Sequence, residues 1–141
     1  MIKNLKQTKK LVEKYKEILS EPFELNEGES EDCKYANYGE WLSYQTGFNG
    51  SGCTLCKPLT TKTTVKCDSC IWFLTRNDDD EFSPNEQERP KEYRKAYCVN
   101  ENFDWVTFSE TWEKFEEYLS KRVEKLESLI KEAEKDEFQN K

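Results

Sequence analysis

The sequence predicts an α-rich α+β fold: two long terminal helices packed against a small, loop-rich zinc-cysteine core with short hairpins. Three observations lead there. Apolar residues recur at three- and four-residue spacing at both ends of the chain, two C-x2-C pairs stand ten residues apart in its middle, and 14 of the 19 aromatic residues fall between residues 33 and 112. With 141 residues the chain has the length of one domain. Its expected divisions are an N-terminal helix (1–20), an acidic loop (21–32), a zinc and aromatic core (33–107) and a C-terminal helix (108–137).

In residues 1–20, Ile2, Leu5, Leu11, Val12, Tyr15, Ile18 and Leu19 share one stripe of a helix, and Lys3, Lys6, Lys9, Lys10, Lys14 and Lys16 fill the rest of its surface. Pro22 ends it, because the proline ring disfavours helical geometry in the residue before. Residues 21–32 then carry six acids and no base, the composition of a solvated connector.

The central stretch, 33–107, has only eight Leu, Ile or Val, so rings and cysteines must replace aliphatic layers there. Gly47, Asn49-Gly50 and Ser51-Gly52 are turn signals before the first cysteine pair, and the Thr-rich residues 59–66 suit a short hairpin between the pairs. Asp78-Asp79-Asp80-Glu81, followed by Ser83-Pro84-Asn85, reads as a second acidic loop.

At the C-terminal end Trp112, Phe115, Leu119, Val123, Leu126, Leu129, Ile130 and Ala133 lie on one helical stripe. Thr107 and Glu110 have the spacing of a capping box at its start. Glu110 with Lys114, Glu117 with Lys121 and Glu127 with Lys131 have the favourable acid-first order. Helix 109–135 is expected to pack antiparallel on helix 3–20, with Trp112, Phe115, Leu119 and Leu126 inward. The chain is then a monomer, or a dimer if the helices self-associate as a coiled coil, a seam that Arg122 would interrupt.

The chain has no histidine, and its one methionine is Met1. This excludes Ser-His and Cys-His hydrolases and every His-containing metal site. A carboxylate enzyme would draw on Glu40, Asp68 or Asp104, and no spacing pairs them, so the protein is not expected to be an enzyme. No apolar run approaches the roughly 20 residues of a membrane span, and the charged start lacks the apolar stretch of a secretory signal. A cytoplasmic protein without a membrane partner is expected.

Cys53-Thr-Leu-Cys56 and Cys67-Asp-Ser-Cys70 have close to the spacing that holds structural zinc. A two-residue gap lets both sulfurs of a pair turn toward one ion, and four thiolates close a tetrahedron with no open catalytic position. The expected ligands of one Zn2+ are therefore Cys53, Cys56, Cys67 and Cys70. Cys98, in the apolar run Ala96-Tyr97-Cys98-Val99, is the alternate ligand, most readily in place of Cys67; Cys33 is expected to be a free thiol. Disulfides rank lower in a reducing compartment, and an iron-sulfur centre or a redox C-x2-C pair ranks lower than a shared zinc.

The order Cys53-x-Leu-Cys56, Cys67-x-x-Cys70-Ile-Trp-Phe, Tyr97-Cys98 and then a charged helix with Trp112-x-x-Phe115 resembles uncharacterised small proteins of bacteriophage genomes. Those commonly read C-x-L-C, C-x-x-C-P and a fifth cysteine before a C-terminal helix. The likeness covers roughly residues 50–130, with Ile71 where a proline often stands and a longer acidic insert before Cys98. It implies a phage or mobile-element accessory protein acting in a bacterial cytoplasm against a host factor, and implies no chemistry.

Charge ranks the functions. The net charge of −7 divides into +4 over 1–20, −6 over 21–32, +2 over 33–75, −4 over 76–107 and −3 over 108–141. Phosphate contacts dominate nucleic-acid affinity, and four thiolates on one divalent ion would cancel the small excess of base around the cysteines. The leading expectation is a non-enzymatic, zinc-stabilised acidic protein that binds and inhibits a host protein, such as a defence or nucleic-acid-processing factor, through segments 21–32 or 76–88. A nucleic-acid-binding zinc ribbon, using the lysine stripe of the first helix, is the alternative.

Overall fold

A computed structural model describes residues 2–23, 38–46, 55, 69–76, 78, 80–83, 98 and 100–139. Among the described residues the regular elements are α1 (Leu5–Leu19), α2 (Tyr38–Thr46), a 3-10 helix (Ile71–Thr75), α3 (Glu101–Thr107) and α4 (Trp112–Gln139). Helix accounts for 74% of the described residues and none of them is in a strand, so the class is α and the α+β expectation is corrected. The hairpin expected over 59–66 lies outside the described residues.

α1 and α4 pack against each other as antiparallel neighbours. Two ion pairs show the direction: Lys9 meets Glu134 at 2.6 Å and Lys16 meets Glu127 at 3.2 Å, so seven residues forward on α1 match seven residues back on α4. Along the seam that these rungs flank and continue, Leu11, Val12, Tyr15 and Ile18 of α1 are buried, as are Phe115, Leu119, Val123, Leu126, Leu129 and Ala133 of α4, the inward stripes that the spacing predicts. Trp112 is half-buried at the edge of this seam. Each fully buried Leu or Phe contributes about 1.5–3 kcal/mol, which makes the seam a large source of cohesion in a chain of mean hydropathy −1.03.

Parts of the expected loop-rich core are helical. In α2, Tyr38, Trp41 and Leu42 stand at three- and four-residue spacing and are all buried. The Trp41 ring stacks on Phe23 at 4.6 Å, Tyr38 stacks on Phe115 at 4.8 Å, and the Tyr38 hydroxyl donates to the Phe23 carbonyl at 2.9 Å. α2 thus staples the exit of α1 to the start of α4. Its approach to α3 requires Gly39, since a Cβ there would lie 2.5 Å from Cγ2 and 2.9 Å from Cα of Thr107.

The start of α4 differs from expectation. Thr107 is the last residue of α3, whose C-terminal Phe108 N–H still donates to the Asp104 carbonyl at 2.9 Å. The cap of α4 is Thr111, whose hydroxyl accepts from the Lys114 N–H at 3.2 Å. Two of the expected intrahelical pairs are also replaced, because their residues reach other elements: Glu127 goes to Lys16, and Lys121 lies 3.9 Å from Glu81.

Candidate functional site

Of the expected zinc ligands, Cys53, Cys56 and Cys67 lie outside the described residues, as does Cys33. Cys70 is buried and Cys98 half-buried. Among the described residues no group of three or more Cys, Asp or Glu could hold a metal ion, as follows when three of four ligands are not among them. What is described is the shell around Cys70, and Asn4 organises it.

Asn4 precedes α1 and is fully buried. Its amide nitrogen donates both to the Leu55 carbonyl and to the Cys70 sulfur, each at 3.2 Å, while its amide oxygen accepts from the Ile71 N–H at 2.8 Å. Lys3 N–H adds a bond to the Ser69 carbonyl at 2.8 Å, and Thr8, also fully buried, donates to the Asn4 carbonyl. Two acceptors on one nitrogen can be no further apart than twice 3.2 Å. Leu55, inside the first C-x2-C pair, is therefore beside Cys70 of the second. Outer hydrogen bonds of this kind fix the orientation of metal-ligating side chains. The sequence signal was a polar pair, Asn4 just before α1 and Thr8 one turn into it, in line with the apolar stripe of Leu11 and Tyr15.

A second organised cluster surrounds Arg122. The residue that breaks the apolar stripe of α4 is only 2% exposed. Its Nη1 donates to the side-chain oxygens of Asn100 (3.2 Å) and Asn102 (3.1 Å), and its Nη2 donates to the Cys98 carbonyl (3.2 Å). Its charge lies over the faces of Trp72 (4.3 Å) and Phe103 (5.6 Å). Asn100 also caps α3 by accepting from the Phe103 N–H at 2.9 Å, so one side chain both starts α3 and receives Arg122. The backbone of Cys98 is thereby anchored to α4.

Of the two acidic segments expected to meet a partner, residues 24–32 of the first lie outside the described residues; described acids of the second, and lysines of the α1 stripe, are ion-paired at the surface. Asp78 and Asp80, in the second acidic loop, lie 2.9 Å and 3.9 Å from Lys125, and Glu81 is beside Lys121. Phe82 between them is buried, stacked on Trp72, with Lys125 over its ring. This segment is docked on α4. On α1, Lys9 and Lys16 are engaged by α4 glutamates, and Lys14 lies 3.8 Å from Glu17.

The α3–α4 corner points outward instead. Trp105 is 40% exposed and Phe108 67% exposed, the large exposed hydrophobics among the described residues, with Trp105 against Tyr118 at 5.5 Å. Residues 101–113 contain Glu101, Asp104, Glu110 and Glu113 and no Lys or Arg. This patch was not singled out from the sequence, where Trp105 and Phe108 counted only as part of an aromatic-rich core.

Among the described residues, no helix is long and apolar enough to cross a membrane. The chain matches no protein-family model, no curated protein and no solved structure.

Proposed function

We infer that the protein is a non-enzymatic interaction protein whose cysteine end is held by one Zn2+ on Cys53, Cys56, Cys67 and Cys70, and that it works by stoichiometric binding of a protein partner. The observation that carries this reading is the double donation from Asn4, which sets Leu55 of one C-x2-C pair beside Cys70 of the other. Zinc bound there would supply folding free energy, roughly 10 kcal/mol or more in small zinc domains, to a chain with few aliphatic side chains. The resemblance to phage proteins makes the partner a bacterial host factor, of the defence or nucleic-acid-processing kind.

Charge supports a protein partner over nucleic acid. Lys9 and Lys16, members of the α1 lysine stripe, already have carboxylate partners, which leaves less positive charge to meet phosphates. The acidic, aromatic corner of residues 101–113 suits a basic partner surface with an apolar pocket for Phe108.

Metal analysis of protein purified without chelator tests the first half, and one zinc per chain, lost in Cys70→Ser, is the expected result. Affinity capture from a bacterial lysate tests the second: a partner retained by the wild type and lost with Phe108→Ala and Trp105→Ala together supports it. Salt-sensitive binding to DNA or RNA that disappears on replacing Lys9, Lys10 and Lys14 establishes the nucleic-acid reading instead.

A further inference from the structure

We propose that a cavity floored by Arg122 binds a small monocarboxylate with an apolar body. The cavity, about 200 Å³, lies where all four α-helices meet: Tyr15 comes from α1, Gly39, Glu40 and Leu42 from α2, Phe103, Val106 and Thr107 from α3, and Arg122 from α4. Tyr15, Leu42 and Val106 are buried, and Glu40 is exposed. An engineered apolar cavity of about 150 Å³ admits benzene, so this volume fits a single ring or a short branched chain with one polar head.

Arg122 supplies the recognition chemistry. A guanidinium has five N–H donors, and the acceptors at Asn100, Asn102 and Cys98 take both Nη1 hydrogens and one on Nη2. Those acceptors are an amide oxygen, a second amide oxygen and a backbone carbonyl, all neutral. A buried cation is costly unless an anion accompanies it. Nε, which has none of these acceptors, and Nη2, which has one, are the two nitrogens whose side of the guanidinium receives a carboxylate in parallel bonds. Phe103 carries the relationship between floor and wall, since its ring both lies under the guanidinium and lines the cavity.

Glu40 sets the charge limit. A carboxylate in the lining opposes a doubly charged phosphate more than a monoanion, and the apolar walls offer a phosphate's remaining oxygens few donors. A monocarboxylate leaves a single charge on Arg122 and places its body against Tyr15, Leu42 and Val106.

The test is a titration of the purified full-length protein with benzoate, followed by amide shifts in two-dimensional NMR. Saturable shifts around Gly39 and Thr107, with a Kd on the order of 1 mM or tighter, are expected. Benzyl alcohol, nearly the same size but uncharged, should bind at least tenfold more weakly on the order of one decade per lost charge-assisted contact. Inorganic phosphate should not compete. Val106→Phe fills the cavity and should abolish benzoate binding with the helical circular dichroism retained, and Arg122→Met should bind benzoate no better than benzyl alcohol. The proposal is overturned by absence of saturable shifts at about 10 mM benzoate, by equal binding of benzyl alcohol, by competition from phosphate, or by unchanged benzoate binding in either variant.

Discussion

The guanidinium of Arg122 lies 4.3 Å from the ring centre of Trp72, and the two side chains, both buried, form the joint between α4 and the 3-10 helix. Because the three acceptors around Arg122 come from residues 98–102, the same joint fastens the chain entering α3. Replacing Arg122 with Met keeps the packing volume but strands the Asn102 oxygen, at a cost of about 1–3 kcal/mol. Adding Asn102→Leu should return much of that loss, because removing both polar partners costs less than removing one. Urea unfolding of the single and double variants measures the difference.

Asn4→Ala should act on stability and on metal together. It removes the donor shared by Leu55 and Cys70 and leaves the buried Ile71 N–H without its acceptor, so about 1–3 kcal/mol of stability is lost for that group alone. Outer partners of metal ligands typically change affinity by about 10–100-fold, and zinc transfer to a colorimetric chelator should become easier by such a factor. Stability loss with unchanged zinc transfer would separate Asn4 from the metal.

Leu119→Ala tests the α1–α4 seam. Leu119 is fully buried, and truncation in such a place costs about 2–5 kcal/mol. The matched control is Glu124→Ala on the exposed face, since Glu116 accepts a hydrogen bond from the Trp112 indole and is not neutral. Equal melting temperatures for the two variants would deny the seam its energetic role.

Gly39→Ala should destabilise by about 1–3 kcal/mol, the usual cost of forcing an extra methyl into a packed contact. The displaced neighbour is the backbone of Thr107 as well as its side chain, so α2 must move away from α3. Thermal unfolding gives the magnitude, and loss of Thr107 amide protection from hydrogen exchange shows where the strain goes.

The stripe of α4 was legible because its period repeats over 28 residues, long enough for Phe115, Leu119, Val123 and Leu126 to establish one face. α2 was not legible: its one repeat of Tyr38, Trp41 and Leu42, over nine residues with a glycine at the second position, is too short to establish a period. The capping pattern matched Thr107 and Glu110 first, yet Thr107 belongs to α3, and local spacing cannot reveal which of two adjacent helices owns a threonine. Arg122 was legible only as an interruption. Its meaning depends on Asn100 and Asn102, which lie about twenty residues earlier and meet it through folding. The cysteine pairs were legible as a spacing, whereas Asn4, which joins Leu55 of one pair to Cys70 of the other, stands about fifty residues before the first of them and nothing local ties it to them.

The two rungs between α1 and α4 also dictate an order of events. Lys9 meets Glu134, a partner 125 residues away (134 − 9), and closing so long a loop costs about 4 kcal/mol in chain entropy. A helix of fifteen residues is marginal alone in water, so α1 emerges from the ribosome with its apolar stripe uncovered. It waits through the synthesis of the residues in between until α4 arrives to cover it. During that interval α1 is a natural client for a chaperone, and a nonsense codon before α4 yields a chain in which α1 lacks the helix that covers its apolar stripe.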